Sequence, residues 1–267
     1  MSESWWSYDE IAGEYDRVAV PSLFGRVAGD LVALLELPAE ARILDVGAGS
    51  GVATLLALKS AGPGSLAVGL DPSIEMLRRA RTNGLLELAC GLAPGLPFRA
   101  RAFDALLACF VLSHIPSCQE ALADMVRVLR SRGRLGVTAW GEQRNEYRQL
   151  WNEAAETAIG KNALEAGLRE ALPFEEWFSD PGHLRTACLS AGLSGVEITK
   201  KEYKTAMTIE EHLAHRDLSM SARLGRKALG AAAWARVRDA LSNAFHARFR
   251  EPIEETSVAY LCIGTRP

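Results

Sequence analysis

Three alternate glycines, Gly47, Gly49 and Gly51, follow a short apolar run that carries a carboxylate, Arg42-Ile-Leu-Asp45-Val. A glycine at such a turn lets the backbone take positive φ and come into contact with a bound ligand, which a Cβ would block. Residues 52–59 read as an apolar helix whose free N–H groups point back at the turn. A second apolar run, 65–70, ends in Asp71. An acidic side chain at the end of the second strand is placed to accept hydrogen bonds from both ribose hydroxyls of a nucleoside. The chemistry implied is adenosine binding.

The glycine spacing separates this site from a dinucleotide site. Val52 stands where the dinucleotide fingerprint has its third glycine, and Asp45 would oppose the charges of a pyrophosphate. Its carboxylate suits a cationic or zwitterionic ligand, whose ammonium it holds directly or through water. On these residues the sequence resembles the class I S-adenosylmethionine-dependent methyltransferases, in the small-molecule branch around the quinone-biosynthesis enzymes. The resemblance runs from about Tyr8 to Trp140. It implies that Asp45, Gly47, Ala48, Gly49 and Gly51 wrap the methionine part of S-adenosylmethionine, that Asp71 takes the ribose, and that Pro72 and Ser73 lie near the adenine.

Further segments carry the resemblance. Residues 90–98, Cys-Gly-Leu-Ala-Pro-Gly-Leu-Pro-Phe, look like the family's G-D-A-x-x-L-P-F segment, with Leu92 in the place of an aspartate that accepts from the adenine amino group. Leu92 would pack on the ring, and Ala93 could still present its backbone N–H. The segment 109–115, with Phe110 in the cofactor set and His114 as a candidate catalytic residue, would face the methyl-transfer centre. Tyr8-Asp-Glu-Ile-Ala-Gly-Glu-Tyr15-Asp resembles an N-terminal Y-D-x-x-A-x-x-Y-D element that folds over the cofactor. Tyr8 and Tyr15 either cover the cofactor, with Tyr15 reaching the acceptor, or anchor the N-terminal helix. His212 and His215, three residues apart, face either a substrate chamber or solvent; His212 is the third catalytic candidate, and Glu142 is a weaker one.

These residues need a frame to hold them. Apolar runs at 42–46, 66–70, 86–89, 102–110 and 134–140 alternate with helical patterns at 52–59 and 74–82. A further helix is expected from Ser117, with Glu120 at capping-box spacing, Leu122, Met125, Val126 and Leu129 as its stripe, and Gly133 as its stop. A helix over 181–191 then leads to strands at 195–199 and 257–264. The pattern is a parallel α/β sheet with ligands at the carboxyl ends of its strands. The resemblance supplies the Rossmann-like order 3-2-1-4-5-7-6 with strand seven antiparallel.

The chain reads as a single methyltransferase domain over 1–267, with an N-terminal lid in 1–38 and helical cap segments at 143–180 and 203–250. Thr208 and Glu211 form a second capping box, and Trp234, Val237, Leu241, Phe245 and Phe249 recur at helical spacing. Cap aromatics and methionines (Trp151, Phe174, Trp177, Phe178, Tyr203, Met207, Met220) would suit an apolar or aromatic small-molecule acceptor.

A net charge of −3 with interleaved signs gives no basic field for a nucleic-acid backbone, and no metal-ligand spacing is present. The expectation is a cytoplasmic protein without a membrane span, monomer or homodimer, whose five cysteines are reduced thiols. Its activity is methyl transfer from S-adenosylmethionine to an O-, N- or C-nucleophile, mainly by alignment of the reactants. The competing readings are a cofactor-binding protein that is non-catalytic or performs a cyclisation, and a nicotinamide oxidoreductase.

Overall fold

The computed structural model describes residues 4–143 and 145–267. Seven strands form one sheet in the order β3-β2-β1-β4-β5-β7-β6. They are β1 (Arg42–Val46), β2 (Leu66–Asp71), β3 (Leu88–Cys90), β4 (Phe103–Cys109), β5 (Leu129–Trp140), β6 (Ser194–Met207) and β7 (Ile253–Thr265). The first five run parallel, and β7 lies antiparallel to both β5 and β6. The expected order is therefore the observed one.

The central strands bury both faces, as parallel strands covered by helices must. Ile43, Ala105 and Leu107 turn to one side, where α2 (Gly25–Leu35) and α3 (Val52–Ala61) pack; Leu44, Val46, Leu106 and Ala108 turn to the other. There they meet α5 (Cys118–Val128) and α9 (Pro181–Ser190). The remaining helices of this part are α1 (Ala12–Glu14), α4 (Ile74–Thr82), α6 (Glu146–Ile159), α7 (Lys161–Ala171) and α8 (Glu175–Phe178). The chain then adds α10 (Ile209–Asp217), α11 (Met220–Leu229) and α12 (Ala231–Arg248). Helices α6, α7 and α10–α12 enclose their own apolar cluster around Trp151, Leu213, Trp234 and Phe245, so the cap has a separate core.

Several expected boundaries move. Ser117 makes no side-chain cap, and α5 ends at Val128, not near Gly133. Its last carbonyls find partners that a helix end lacks. Arg127 and Val128 accept from the N–H groups of Arg101 and Ala102 at 3.1 and 2.8 Å. Leu129 is already strand, paired with Phe103. Gly133 sits inside β5, where a Cβ would come within 2.9 Å of the Arg130 carbonyl. Leu86 is exposed and outside β3. The second cap segment, expected from residue 203, starts with the end of β6. Tyr203 is buried there, its hydroxyl donating to Asp30 at 2.7 Å, and Met207 closes the strand. The capping box of Thr208 and Glu211 does form at the start of α10.

One helical run, Asp9–Leu35, is long and apolar enough to cross a membrane by length and composition. It holds Pro21 and a π-helical stretch, Tyr15–Phe24, and buries Val27, Ala28, Leu31, Val32 and Leu35 against the sheet. Its second half is thus packed on the core.

Candidate active site

The glycine turn leaves β1 and enters α3. Gly47, Gly49 and Gly51 have φ of 73°, 55° and 87°, the left-handed region that glycine alone enters without strain. Packing also demands Gly47, where a Cβ would lie 2.5 Å from Val111 Cγ2, and Gly51, where it would lie 3.2 Å from Ala80 Cβ. At Gly49 it would meet nothing within 4 Å. That glycine keeps an open space beside the turn.

Both acidic residues lie at this turn. Asp71 Oδ2 accepts the Gly49 N–H and Oδ1 the Ser73 N–H, each at 2.8 Å. Asp71 therefore fastens the turn to the start of α4, a duty that its sequence position did not reveal. Each of its oxygens retains a lone pair for a second donor. Asp45 is fully buried; Oδ2 accepts from the Thr54 hydroxyl at 2.6 Å, and Oδ1 has no partner. Burial pushes its carboxyl up to about 7, with Asp71 adding to the rise against the Thr54 bond. A cavity of about 50 Å³ lies here, lined by Tyr15, Phe24, Asp45, Gly49, Ser50 and Phe110 among others. An orphaned carboxylate oxygen beside an open glycine fits the ammonium of an amino-acid ligand.

The ends of β2 and β3 form the next part of the cleft. Cys90 is the register partner of Asp71, and its thiol contacts the Pro72 carbonyl at 3.7 Å. Leu92 and Ile74 are exposed large apolar side chains, 66% and 53%, while Ala93 is buried. Such apolar surface at strand ends offers a platform for a flat ring.

The N-terminal element lies over the strand ends. Asp9 accepts from the Ser73 hydroxyl at 2.6 Å and from the Glu75 N–H at 3.1 Å. Tyr8 meets Tyr15 edge-on at 5.6 Å and His114 at 5.8 Å. Above the Tyr8 ring stands the Arg223 guanidinium, 5.0 Å away, which also donates to the carbonyls of Trp5 and Ser7. Burial raises the Tyr8 phenol to about 12 against the pull of Arg223, and burial raises Tyr15 as well. Both remain protonated near neutral pH. An aromatic wall continues from Tyr15 through Phe24 to Phe110, which stacks on Trp140 at 4.0 Å. Phe110 has a φ of 55°, and its N–H donates to Thr138 Oγ1 at 2.9 Å. That backbone conformation is a costly one for an aromatic residue. Phe24 and Trp140 were not singled out from sequence, because isolated aromatics carry no spacing signal.

His114 ends a short 3-10 turn, with its ring near the Ala171 carbonyl. Burial, with Arg223 nearby, brings its pKa down to about 4. It is a neutral imidazole and a weak base.

His212 is not with His114 and Tyr15. It is buried in the cap between Tyr147 and Phe245, with Nδ1 3.5 Å from Glu255. Helix α10 packs inward at that position, so the solvent-facing alternative also fails for it. His215 is half-buried one turn on, and Glu142 is exposed in the loop after β5. Arg223, Glu175 and Arg148 reach this side of the molecule from three separate helices, and no motif in the sequence marks them.

Residues 44–137 match the family model described as a methyltransferase domain. The chain is 32% identical over 152 residues to the ubiquinone/menaquinone biosynthesis C-methyltransferase UbiE of Methylococcus capsulatus, covering 52% of this chain and 60% of that one. It is 33% identical over 137 residues to nocamycin O-methyltransferase of Saccharothrix syringae, covering 49% of each. The chain thus spans about half to three-fifths of the length of these curated relatives. Among solved structures, the [4+2]-cyclase SpnF shares the fold with a TM-score of 0.52 at 22% identity, over 91% of this chain and 81% of that one.

Proposed function

We propose that the chain is a class I S-adenosylmethionine-dependent methyltransferase that transfers the methyl group of S-adenosylmethionine to a small-molecule acceptor, a reading supported by the methyltransferase-domain match over residues 44–137 and by the relatives that it resembles. The observation that carries the reading is Asp45 Oδ1, a buried carboxylate oxygen with no partner beside the open space at Gly49. A nicotinamide dinucleotide would bring its pyrophosphate to that carboxylate, which disfavours the oxidoreductase reading.

S-adenosylmethionine, when bound, supplies a methyl group on a cationic sulfur. Asp45 would hold its ammonium, and Gly49 would let the backbone approach. Asp71 would add the ribose hydroxyls to the two N–H groups that it already holds, with Pro72, Leu92 and Ala93 flanking the adenine. Tyr8 and Tyr15 would exclude water from above, anchored through Asp9 on one side and Arg223 on the other. The Tyr15–Phe24–Phe110–Trp140 wall offers ring faces and edges to the reacting centre. Attack needs the acceptor atom in line with the S–CH₃ bond, so alignment supplies most of the rate. His114, neutral and near the Ala171 carbonyl, orients an acceptor by a hydrogen bond rather than by taking a strongly held proton. The segments 1–38, 143–180 and 209–250 act as lid and cap of this one domain, and the setting is cytoplasmic, in keeping with five free cysteines.

The test is calorimetry with S-adenosylmethionine and its demethylated product, S-adenosylhomocysteine, followed by methyl-labelled turnover with candidate acceptors. Micromolar binding of both is expected. A folded protein that binds neither overturns the reading.

A further inference from the structure

At the cap, side chains from distant segments converge on Glu255 of β7. Asn145, the N-cap of α6, donates to Glu255 Oε1 at 2.6 Å, and His212 of α10 approaches Oε2 at 3.5 Å. One turn further along each helix, on the same face, stands an arginine: Arg148 at i+3 from Asn145 and Arg216 at i+4 from His212. The two guanidiniums repel one another, and Arg216 also faces Glu255. Among the described residues neither guanidinium makes a hydrogen bond or an ion pair within 4.0 Å, whereas Glu255 is already committed to Asn145 and His212.

A guanidinium keeps its charge in any protein and brings five donors; those of Arg148 and Arg216 reach solvent and are open to an anion. The local balance is positive. Burial works to raise Glu255, but His212, Arg216 and Asn145 outweigh it and hold its carboxyl at about 2, so it contributes one negative charge against two arginines. Burial brings Arg216 down to about 10, still protonated at neutral pH. His212 Nε2, in a side chain only 1% exposed, is a second buried polar atom without a partner. The cluster also connects to the reaction centre. Arg148 attracts Glu175, which lies at the start of α8 where the Phe174 N–H donates to the Ser113 carbonyl at 3.4 Å, beside His114, and whose charge reaches Tyr8.

We infer that the acceptor carries an anionic oxygen group, a carboxylate or a phosphate, which Arg148 and Arg216 take together, leaving its reacting atom towards His114 and Tyr8. The inference rests on the methyl-transfer reading for the position of the reacting atom. A planar fork of donors matches either anion in a bidentate fashion. Specificity then follows from the cost of leaving the arginines unpaired when a neutral analogue binds.

The experiment is calorimetry on the full chain saturated with S-adenosylhomocysteine, using benzoate, phenyl phosphate and the neutral benzamide as probes. One anion should bind at least about tenfold more tightly than benzamide, and which one does so names the group. Arg148→Gln and Arg216→Gln should each weaken that anion by at least about tenfold while leaving S-adenosylhomocysteine within roughly threefold. A second readout separates binding from structure. Without ligand, Arg216→Gln removes the burial of a charge, a repulsion from Arg148 and the smaller attraction to Glu255, and no hydrogen bond, so its thermal midpoint should stay or rise. Equal binding of all three probes, binding of none, unchanged anion affinity in both variants, or a large fall in midpoint for Arg216→Gln overturns the inference. Failure to bind S-adenosylhomocysteine counts instead against methyl transfer, because preference for an anion over benzamide is readable in the cofactor-free protein too.

Discussion

Around the glycine turn nearly every polar contact runs to the main chain. Asp71 holds the N–H groups of Gly49 and Ser73, and Gly47 and Ala48 both donate to the Leu70 carbonyl. In the cap the contacts run between side chains that are far apart in sequence: Asn145 with Glu255, His212 with Glu255, and Trp151 Nε1 with the Ser221 hydroxyl at 3.0 Å. The first region is specified by a few residues that permit a backbone path. The second is specified by which side chains meet, so a few substitutions would give it a different ligand. One fold can carry different chemistries through such a division of labour. The fold shared with a [4+2]-cyclase at 22% identity is consistent with it. Each region can be broken separately, and the expected effect on cofactor binding falls from Asp71 to His114.

The largest effect belongs to Asp71→Ala. It removes the acceptor of two backbone N–H groups as well as the proposed ribose contacts. The dissociation constant for S-adenosylhomocysteine should rise by one to two orders of magnitude, about 1.4 to about 2.8 kcal/mol, measured by calorimetry. Cap properties, including preference for benzoate or phenyl phosphate over benzamide, should persist. Unchanged cofactor-product affinity would remove Asp71 from the site.

Asp45 comes next, through pH. Its folded pKa, about 7, lies above the ordinary 3.8, so the folded protein without cofactor favours the protonated form. Stability linked to this group is therefore greatest at low pH and falls as pH rises from about 4 through 7, then levels off. Cofactor binding has the opposite sign, because an ammonium selects the ionised carboxylate. Affinity at pH 6 should be about tenfold weaker than at pH 8, roughly 1.4 kcal/mol, with proton release on binding in between. Asp45→Asn should flatten both profiles. A wild-type affinity that is flat over that range breaks the assignment of Asp45 to the ammonium.

The same contrast decides which features are legible in the amino-acid sequence. The glycine turn, Asp71 and the succession of strands and helices can be read there because strand, turn and helix follow each other within a few dozen residues, and short apolar runs mark the buried strands. The order of the strands in the sheet comes from the family resemblance. Helix ends are less legible. Ser117 and Glu120 have the right spacing yet form no cap, since the termination of α5 is set by Arg101 and Ala102 binding its last carbonyls. His212 enters the reacting set on residue type and its spacing from His215; only the packing of α10 on Tyr147, Phe245 and Glu255 separates it from His114 and Tyr15. The pairing of Arg148 with Arg216 is invisible for the same reason, being a property of two helices and no motif.

Gly225→Ala sharpens the comparison from the cap side. A Cβ there would run into the ring of Trp234, inside the packed cluster of the cap. Overpacking of this kind destabilises by about 1–3 kcal/mol. Chemical denaturation should show that loss, while S-adenosylhomocysteine affinity stays within roughly threefold, since α11 reaches the site only through Arg223 on the lid and not at the turn of Gly49. A parallel collapse of cofactor binding would mean that the two regions are one energetic unit.

The smallest effect on cofactor binding is expected from His114→Ala, which stands where the two regions meet. Its ring touches Tyr8 of the lid and lies near the Ala171 carbonyl of α7. Affinity for S-adenosylhomocysteine should stay within roughly threefold, while kcat changes more if the imidazole orients the acceptor. The pH profile separates orientation from proton transfer. With a folded pKa of about 4, below the ordinary 6.5, the ring is neutral throughout the range in which an enzyme is assayed. At saturating S-adenosylmethionine, where the ionisation of Asp45 no longer shows, kcat should carry no limb from His114 between about pH 5.5 and 8. A limb near pH 6–7 that vanishes in the alanine variant would make His114 a general base with an ordinary pKa. Its contact with Ala171 and the burial under Tyr8 would then have to loosen when the acceptor binds.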